Sequence, residues 1–209
     1  MKIVFNFRMA VLVGVLAAGM GAGERVARAD GVYFSTRELL GDFFRNSQSV
    51  TYKKVEIGGD AALKARLVKR LGYLPAKSSY TFYVATTGGK VDGYALFDEE
   101  NGEHLPISFA VKLTATGSVE RQEIVCYREA RGDEVRDQSF RKQFVGKTTR
   151  DPITVDKDIV AISGATISSR AMAVGVKRAA VLFEELVKSP MSTGAMTAAE
   201  TSGRGPGKL

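Results

Sequence analysis

The sequence predicts an α+β protein in which an antiparallel sheet is packed by helices. Three observations support this fold class. Two short helical patterns flank one strand-like run, four further strand-like runs follow with short turns between them, and a long apolar helical pattern comes last. Connections this short suit antiparallel pairing, because parallel strands require long crossovers. With 209 residues and 44% hydrophobic composition, the chain is large enough to bury one core.

The first elements are two helices around one strand. Ser35 and Glu38 fit a capping box, and apolar residues follow them at helical spacing. Alternating apolar residues from 50 to 57 predict a strand. Asp60 is placed to cap a second helix, whose leucines recur every four residues until Gly72 ends it.

Four β-branched and aromatic runs form the middle of the chain. They span residues 80–85, 91–97, 107–113 and 119–127. Glycine-containing turns join the first pair and the second pair, so we expect an antiparallel meander. Cys126, the one cysteine, lies in the last run and is expected to be a small buried apolar residue.

A long amphipathic helix is predicted from about residue 167 to 187, after a mixed, loop-like stretch at 139–165. Its core-facing positions are Met172, Val176, Ala179, Ala180, Phe183, Leu186 and Val187. The Ser-, Thr-, Gly-, Ala- and Pro-rich residues 189–209 are typical of a disordered tail.

Residues 1–29 have the pattern of a secretory signal peptide. A basic start precedes a short apolar run, and Ala27-Arg28-Ala29 forms an A-x-A cleavage pattern. The uncharged stretch of about 15 residues is shorter than the ~20 that a membrane helix needs, although a retained anchor remains the alternative. Cleavage after Ala29 would leave a periplasmic or otherwise extracytoplasmic domain of residues 30–188. Its charge, with the tail, would be near +4, against +7 for the whole chain.

Composition argues against several functional classes. A mildly basic charge is not the strong asymmetry of a nucleic-acid-binding protein. One cysteine and one histidine (His104) are too few for a zinc or haem site made by this chain alone, and we expect no metal. Gly146-Lys147-Thr148 ends like a phosphate-binding P-loop, but Arg141 stands where that motif requires glycine. No Ser, His and Asp set indicates a hydrolase.

The segment from Ile162 to Ser169 is the most informative, because it directly precedes the long helix. The first turn of a helix leaves backbone N–H groups unpaired at the positive end of the macrodipole. Small residues let a ligand approach the backbone, and hydroxyls add donors, so an anion or phosphate site is indicated. The candidate residues are Ser163, Gly164, Ala165, Thr166, Ser168 and Ser169. The alternative is an ordinary helix start capped by a serine or threonine side chain.

At Ser163-Gly164-Ala165-Thr166 the sequence resembles the FMN-binding domain family. Members include the C subunit of the sodium-translocating NADH:quinone reductase, the G subunit of the Rnf complex and NosR-type membrane proteins. The likeness covers roughly residues 78–187, including 106–109, 127–129, 143–147 and 167–169. The resemblance implies that FMN is joined through its phosphate to Thr166 by a flavin transferase, with FAD as donor.

One position departs from the family pattern. The pattern that the transferase recognises usually has aspartate three residues before the serine, where this chain has Val160. The nearest acids are Asp158, two residues earlier, and Asp156. Either Asp158 serves after a local loop adjustment, or the covalent step is inefficient or absent.

The resemblance implies an exported electron carrier, in which the flavin performs the redox chemistry and the protein supplies orientation and electrostatics. Cytochromes or membrane quinone-linked carriers would be its redox partners. Tyr94, Phe97 and Phe109 are candidates to line the flavin ring. Two alternatives stay open. One is a noncovalent FMN-binding redox-sensing module. The other is a small flavin-dependent reductase, against which the lack of a persuasive general acid near the segment argues.

Overall fold

The computed structural model describes residues 31–189. The predicted signal peptide and nearly all of the predicted tail lie outside these residues. The elements, in chain order, are α1 (Thr36–Phe43), β1 (Ser49–Glu56), α2 (Ala61–Leu71), β2 (Ser79–Thr87), β3 (Lys90–Asn101), β4 (Pro106–Thr114), β5 (Val119–Cys126), α3 (Gln138–Lys142) and α4 (Thr166–Phe183). A 3₁₀ turn at Asp133–Arg136 precedes α3, and a π-helical turn at Glu184–Lys188 extends α4.

The strands form one antiparallel meander in the order β1-β2-β3-β4-β5. The predicted fold class, an antiparallel sheet packed by helices, is therefore confirmed. Gly88 and Gly89 turn the chain between β2 and β3 with φ angles of 57° and 79°, a backbone region that favours glycine. Cys126, at the end of β5, is buried as predicted.

The starts of α1 and α2 and the end of α2 agree with the sequence prediction. Ser35 Oγ accepts a hydrogen bond from the Glu38 N–H at 3.2 Å, and the Glu38 carboxylate accepts one from the Ser35 N–H at 2.7 Å. Asp60 caps α2 by accepting from the Leu63 N–H at 2.9 Å. Gly72 ends α2 in the left-handed conformation, with φ of 85°.

The sheet separates two hydrophobic layers. On one face, α2 and α4 cover a cluster that includes the fully buried Phe82, Phe109 and Val111. On the other face, α1 packs Leu39 and Phe43 against alanines of β2, β3 and β4. The alternation of side chains along each strand thus produces a thick core on the α4 side and a thin one on the α1 side.

Helix α4 is buried around most of its circumference, more completely than the predicted one-sided stripe. It lies so close to the sheet that a Cβ at Gly175 would be 2.4 Å from the Phe109 ring. The remaining exposed stripe of α4 consists of Thr166, Ile167, Arg170, Val174 and the half-buried Lys177. This stripe begins at the predicted flavin attachment residue.

Between residues 31 and 189, no helix combines the length and the apolar character needed to cross a membrane. Within the same residues, no cluster of His, Cys, Asp and Glu side chains is arranged to hold a metal ion.

Candidate functional site

A tight turn from Ile162 to Ala165 leads the chain into α4. Its hydrogen bond joins the Ala165 N–H to the Ile162 carbonyl at 3.0 Å. Gly164 has φ of 83°, where any other residue would be strained, and nothing lies within 4 Å of the position a Cβ would take. The turn therefore presents open backbone where the helix begins.

The start of α4 has no capping side chain. Its N-cap residue is Ala165, which carries no hydrogen-bond acceptor in its side chain. The alternative of a serine or threonine cap is therefore wrong for this helix. Within residues 31–189, the backbone N–H groups of Thr166, Ile167 and Ser168 donate to no acceptor. These groups lie at the positive end of an 18-residue helix and can bind an anion.

Two predicted site hydroxyls are exposed. Ser163 and Thr166 both face solvent, and neither side chain forms a hydrogen bond within the part of the chain that the structure describes. Thr166 is the first residue of α4, so its hydroxyl lies at the same end as the unpaired N–H groups. Ala165 contributes only its backbone, because its side chain is buried.

The other two predicted site hydroxyls are buried and bond to the protein itself. Ser168 Oγ lies 2.9 Å from the Tyr127 hydroxyl. Ser169 Oγ accepts from the Ile162 N–H at 3.1 Å, which ties the turn to the first turn of the helix. Both serines therefore support the site from beneath, where sequence reasoning expected them to contact the cofactor.

Tyr127 and Gly132 complete this support. The Tyr127 hydroxyl donates to the Arg131 carbonyl, so Ser168 is the donor in the bond between the two side chains. Gly132 has φ of 94°, and a Cβ there would lie 2.5 Å from Tyr127 Oη and 2.6 Å from Ser168 Oγ. Burial raises the pKa of Tyr127, although the bond to Ser168 opposes it, so the phenol stays protonated. The sequence indicated Tyr127 only within the family resemblance, and it gave no signal for Gly132.

Asp158 shapes the loop that precedes the turn. Its carboxylate accepts from Lys147 Nζ at 2.7 Å and from the backbone N–H groups of Ile153 and Thr154 at 3.1 and 2.9 Å. Burial alone would raise the pKa of Asp158, but these hydrogen bonds outweigh it and hold the pKa below its ordinary value. Asp158 is thus engaged in the loop, which argues against its serving in place of an acid at position 160.

Asp156 is the acid that remains exposed beside the site. It has φ of 69°, uncommon for a residue other than glycine, and its carboxylate lies 3.6 Å from the Arg170 guanidinium, one turn along α4 from Thr166. Val160 is 74% exposed, while its N–H and carbonyl both bond to the Gln143 side chain. The backbone at Val160 is therefore fixed and its side chain projects into solvent.

A groove runs along the exposed stripe of α4, and we call it the α4 groove. Its lining residues are Leu71, Tyr73, Ile153, Thr154, Val155, Arg170, Ala173, Val174 and Lys177. Its volume of about 280 Å³ lies near the lower end of ligand-binding clefts, about 300 Å³. Apolar walls and two cations make it suitable for a flat anionic ligand.

A larger cleft of about 530 Å³ lies on the opposite face of the sheet, beside the end of α1. Its charged side chains pair with one another, as in the bonds from Arg121 to Asp42 at 2.6 Å and from Lys112 to Glu120 at 2.5 Å. It is separated from Thr166 by the sheet, so we assign the site to the α4 side.

The aromatic residues expected to line a flavin ring lie elsewhere. Phe109 is fully buried between the sheet and α4, and Phe97 packs on the α1 face. The Tyr94 ring packs on the Phe183 ring, with 4.8 Å between the two ring centroids. Phe183 ends α4, about 25 Å from Thr166 at ~1.5 Å per residue. None of the three lines the α4 groove, because strand alternation directs Phe109 into the core and Phe97 to the α1 face.

Comparison with known proteins finds two similarities that include the start of α4 or the domain around it. The chain is 37% identical over 106 residues to the G subunit of the proton-translocating ferredoxin:NAD(+) oxidoreductase complex of Clostridium ljungdahlii. That similarity covers 47% of this chain and 57% of the relative, so the chain spans little more than half of the relative's length. Residues 102–181, from the turn after β3 to near the end of α4, match the FMN-binding domain family. Residues 102–181 of this chain, which include the uncapped start of α4, are therefore similar to an FMN-binding domain.

Proposed function

We propose that this protein is an exported electron carrier that holds FMN as a phosphodiester on Thr166. The uncapped start of α4 carries the proposal, because an exposed threonine hydroxyl lies there beside three unpaired backbone N–H groups. The relative from Clostridium ljungdahlii belongs to an oxidoreductase complex, which supports an electron-transfer role.

The helix start suits a phosphodiester. The single negative charge of that group is favoured by roughly 1 kcal/mol near a helix N-terminus. The N–H groups of Thr166, Ile167 and Ser168 require no rearrangement to bind it, because Ser168 and Ser169 fix the first turn from beneath. The open space at Gly164 leaves the phosphate oxygens room to approach.

The α4 groove suits the rest of the cofactor. When bound, FMN supplies the redox chemistry, and the chain supplies anchoring, orientation and charge. Arg170 and Lys177 line the groove on the same face of α4 as Thr166, and their charges favour an anionic ligand. The described groove-lining residues include no carboxylate and no histidine, so the alternative of a reductase would need Tyr73 or Lys177 as its general acid.

Attachment to Thr166 requires a separate enzyme. The hydroxyl bonds to no base within residues 31–189, so nothing there activates it as a nucleophile. A flavin transferase would join Thr166 Oγ1 to the FMN phosphorus of FAD. The phosphoanhydride bond to AMP would break, and the hydroxyl proton would be lost to solvent.

A noncovalent FMN-binding redox-sensing module is the second candidate, and Val160 favours it. The transferase pattern has an acid at that position, whereas Val160 offers an exposed apolar side chain. In that case the helix start would hold the phosphate of free FMN by the same N–H groups. The redox partners would be cytochromes, quinone-linked carriers or other proteins of a shared complex.

Mass spectrometry of the protein expressed with a flavin transferase tests the proposal. We expect a chain beginning at Asp30 that carries one FMN on the peptide containing Thr166. Thr166→Ala should lose the adduct, whereas Thr116→Ala, at an exposed threonine in the β4–β5 turn, should retain it. Flavin that is removed by denaturation would support the noncovalent candidate, and protein without flavin would contradict both.

A further inference from the structure

The α4 groove has one aromatic side chain among its lining residues that the structure describes, Tyr73. Tyr73 directly follows Gly72, which ends α2, so it lies in the connection to β2. Its hydroxyl accepts a hydrogen bond from Arg178 Nη1 at 3.2 Å. A side chain of α4 therefore holds an aromatic residue of a loop at the wall of the groove.

Arg178 is itself fixed by β3. Its Nε donates to the Asp98 carboxylate at 2.8 Å, its Nη1 donates to Glu100, and its Nη2 donates to the Glu99 carbonyl at 2.7 Å. The side chains of Arg178 and Asp98 are 7% and 2% exposed. Burial alone would lower the pKa of Arg178, but the charges of Asp98 and Glu100 raise it, so the guanidinium stays charged.

A buried ion-pair cluster of this kind is weak evidence for stability, because desolvation offsets much of the attraction. Its geometric effect is clearer. The planar guanidinium fork has fixed donor directions, and the bonds to β3 determine where the donor to Tyr73 points. The cluster thus connects α4, β3 and the loop after α2, and it restricts the rotamers of a half-buried tyrosine.

We propose that Tyr73 makes the aromatic contact to the isoalloxazine ring of the bound flavin, and that Arg178 is the residue that positions Tyr73. This inference rests on the proposed attachment of FMN to Thr166. Val174, in the middle of the groove, lies eight residues after Thr166 on α4. At ~1.5 Å per residue, this is a distance of about 12 Å along the helix axis. A ribityl chain followed by a three-ring system covers that distance.

Tyr73 can be distinguished from a merely space-filling residue by its electron-donating phenol. Burial raises the pKa of Tyr73, while Arg178 lowers it, and the net effect keeps the phenol protonated. A phenol beside a photoexcited flavin passes one electron to it and receives that electron back, so fluorescence is quenched without net reaction. Phenylalanine keeps the ring but is a much poorer donor.

The first test compares flavin fluorescence of two flavinylated variants, Tyr73→Phe and Tyr94→Phe. Tyr94 is the matched control, because it packs on Phe183 at the far end of α4. We expect a several-fold rise in flavin fluorescence yield and lifetime for Tyr73→Phe and no change for Tyr94→Phe. Unchanged fluorescence in Tyr73→Phe, with FMN present on the Thr166 peptide by mass, would overturn this inference alone. Absence of FMN from that peptide would overturn the proposed attachment and this inference with it.

The second test asks whether Arg178 acts through Tyr73. Arg178→Lys keeps the positive charge opposite Asp98 but removes the guanidinium group that donates to Tyr73. Thermal melting of the variant checks that the fold is kept. We expect the flavin lifetime to lengthen in Arg178→Lys. In the Tyr73→Phe background, the same substitution should produce no further change. An equal lengthening in both backgrounds would overturn the positioning role.

Discussion

Serine or threonine residues lie at the starts of both α1 and α4, but the first backbone N–H groups are capped by side chains only in α1. At α1, Ser35 and Glu38 form a complete capping box. At α4, Ala165 is the N-cap, and the nearby hydroxyls either face solvent or bond beneath the helix. The same residue types therefore close one helix start and leave the other open.

The difference shows what a helix start requires if its N–H groups are left open to a ligand. A capped start satisfies its donors locally and needs no ligand. An open start must be held by other contacts, and α4 has them in its burial against the sheet and in the bonds of Ser168 and Ser169. Three substitutions and one control substitution can break or sharpen this comparison.

The largest effect is expected for Gly132→Ala, which disturbs the support beneath the α4 start. The new Cβ would overlap both Tyr127 Oη and Ser168 Oγ, and alanine is strained at φ of 94°. We expect about 3 kcal/mol of lost unfolding free energy, from strain together with a displaced buried hydrogen bond. Urea denaturation of the unflavinylated protein measures it.

Gly146→Ala is the control for the backbone strain alone. Gly146 has φ of 82°, but nothing lies within 4 Å of its Cβ position. Gly146→Ala should therefore lower the unfolding free energy by about 1 kcal/mol. Equal losses at Gly132 and Gly146 would show that the close contact with Tyr127 and Ser168 carries no energy.

An intermediate effect is expected for Ser35→Ala, at the capped start. The substitution removes the acceptor for the Glu38 N–H and disrupts the capping box. Loss of a cap typically costs about 1 kcal/mol. The same denaturation measurement should show that loss, and an unchanged midpoint would mean that solvent replaces the cap without cost.

The smallest effect is expected for Thr166→Ala in the unflavinylated protein. The Thr166 hydroxyl forms no hydrogen bond within residues 31–189, and alanine is the better helix former. Unfolding free energy should change by less than about 0.5 kcal/mol. A loss as large as that of Ser35→Ala would mean that Thr166 acts as a cap and that the start of α4 is not open.

Much of the fold was predictable from the sequence because its signals are local. The capping box at Ser35, the cap at Asp60 and the end at Gly72 depend on residues within one turn of each other. The antiparallel order of β2 to β5 was predictable because short turns allow a meander and exclude crossovers, whereas the pairing of β1 with β2, across α2, was not predicted. The helix after residue 165 was predictable from its apolar positions.

The interior of the site was not predictable, because it depends on contacts between distant residues. Ser168 meets Tyr127 across 41 positions of the sequence, and Arg178 meets Asp98 across 80. A pattern of nearby residues does not tell whether a hydroxyl caps its own helix or bonds to another element. The sequence also did not show which aromatic residues line the α4 groove, since Phe109 is directed into the core by its strand and Tyr73 lines the groove.

The sequence by itself determined the antiparallel meander, the position of α4 and the candidate Thr166, because backbone propensity, periodicity and motif are properties of short segments. The tertiary structure decided which hydroxyls are exposed, that Asp158 is engaged in its loop, and that a groove lined by Tyr73 and by Arg170, one turn beyond Thr166, lies along α4. Those outcomes follow from which surfaces the packed elements cover, and burial is settled only when distant parts of the chain meet.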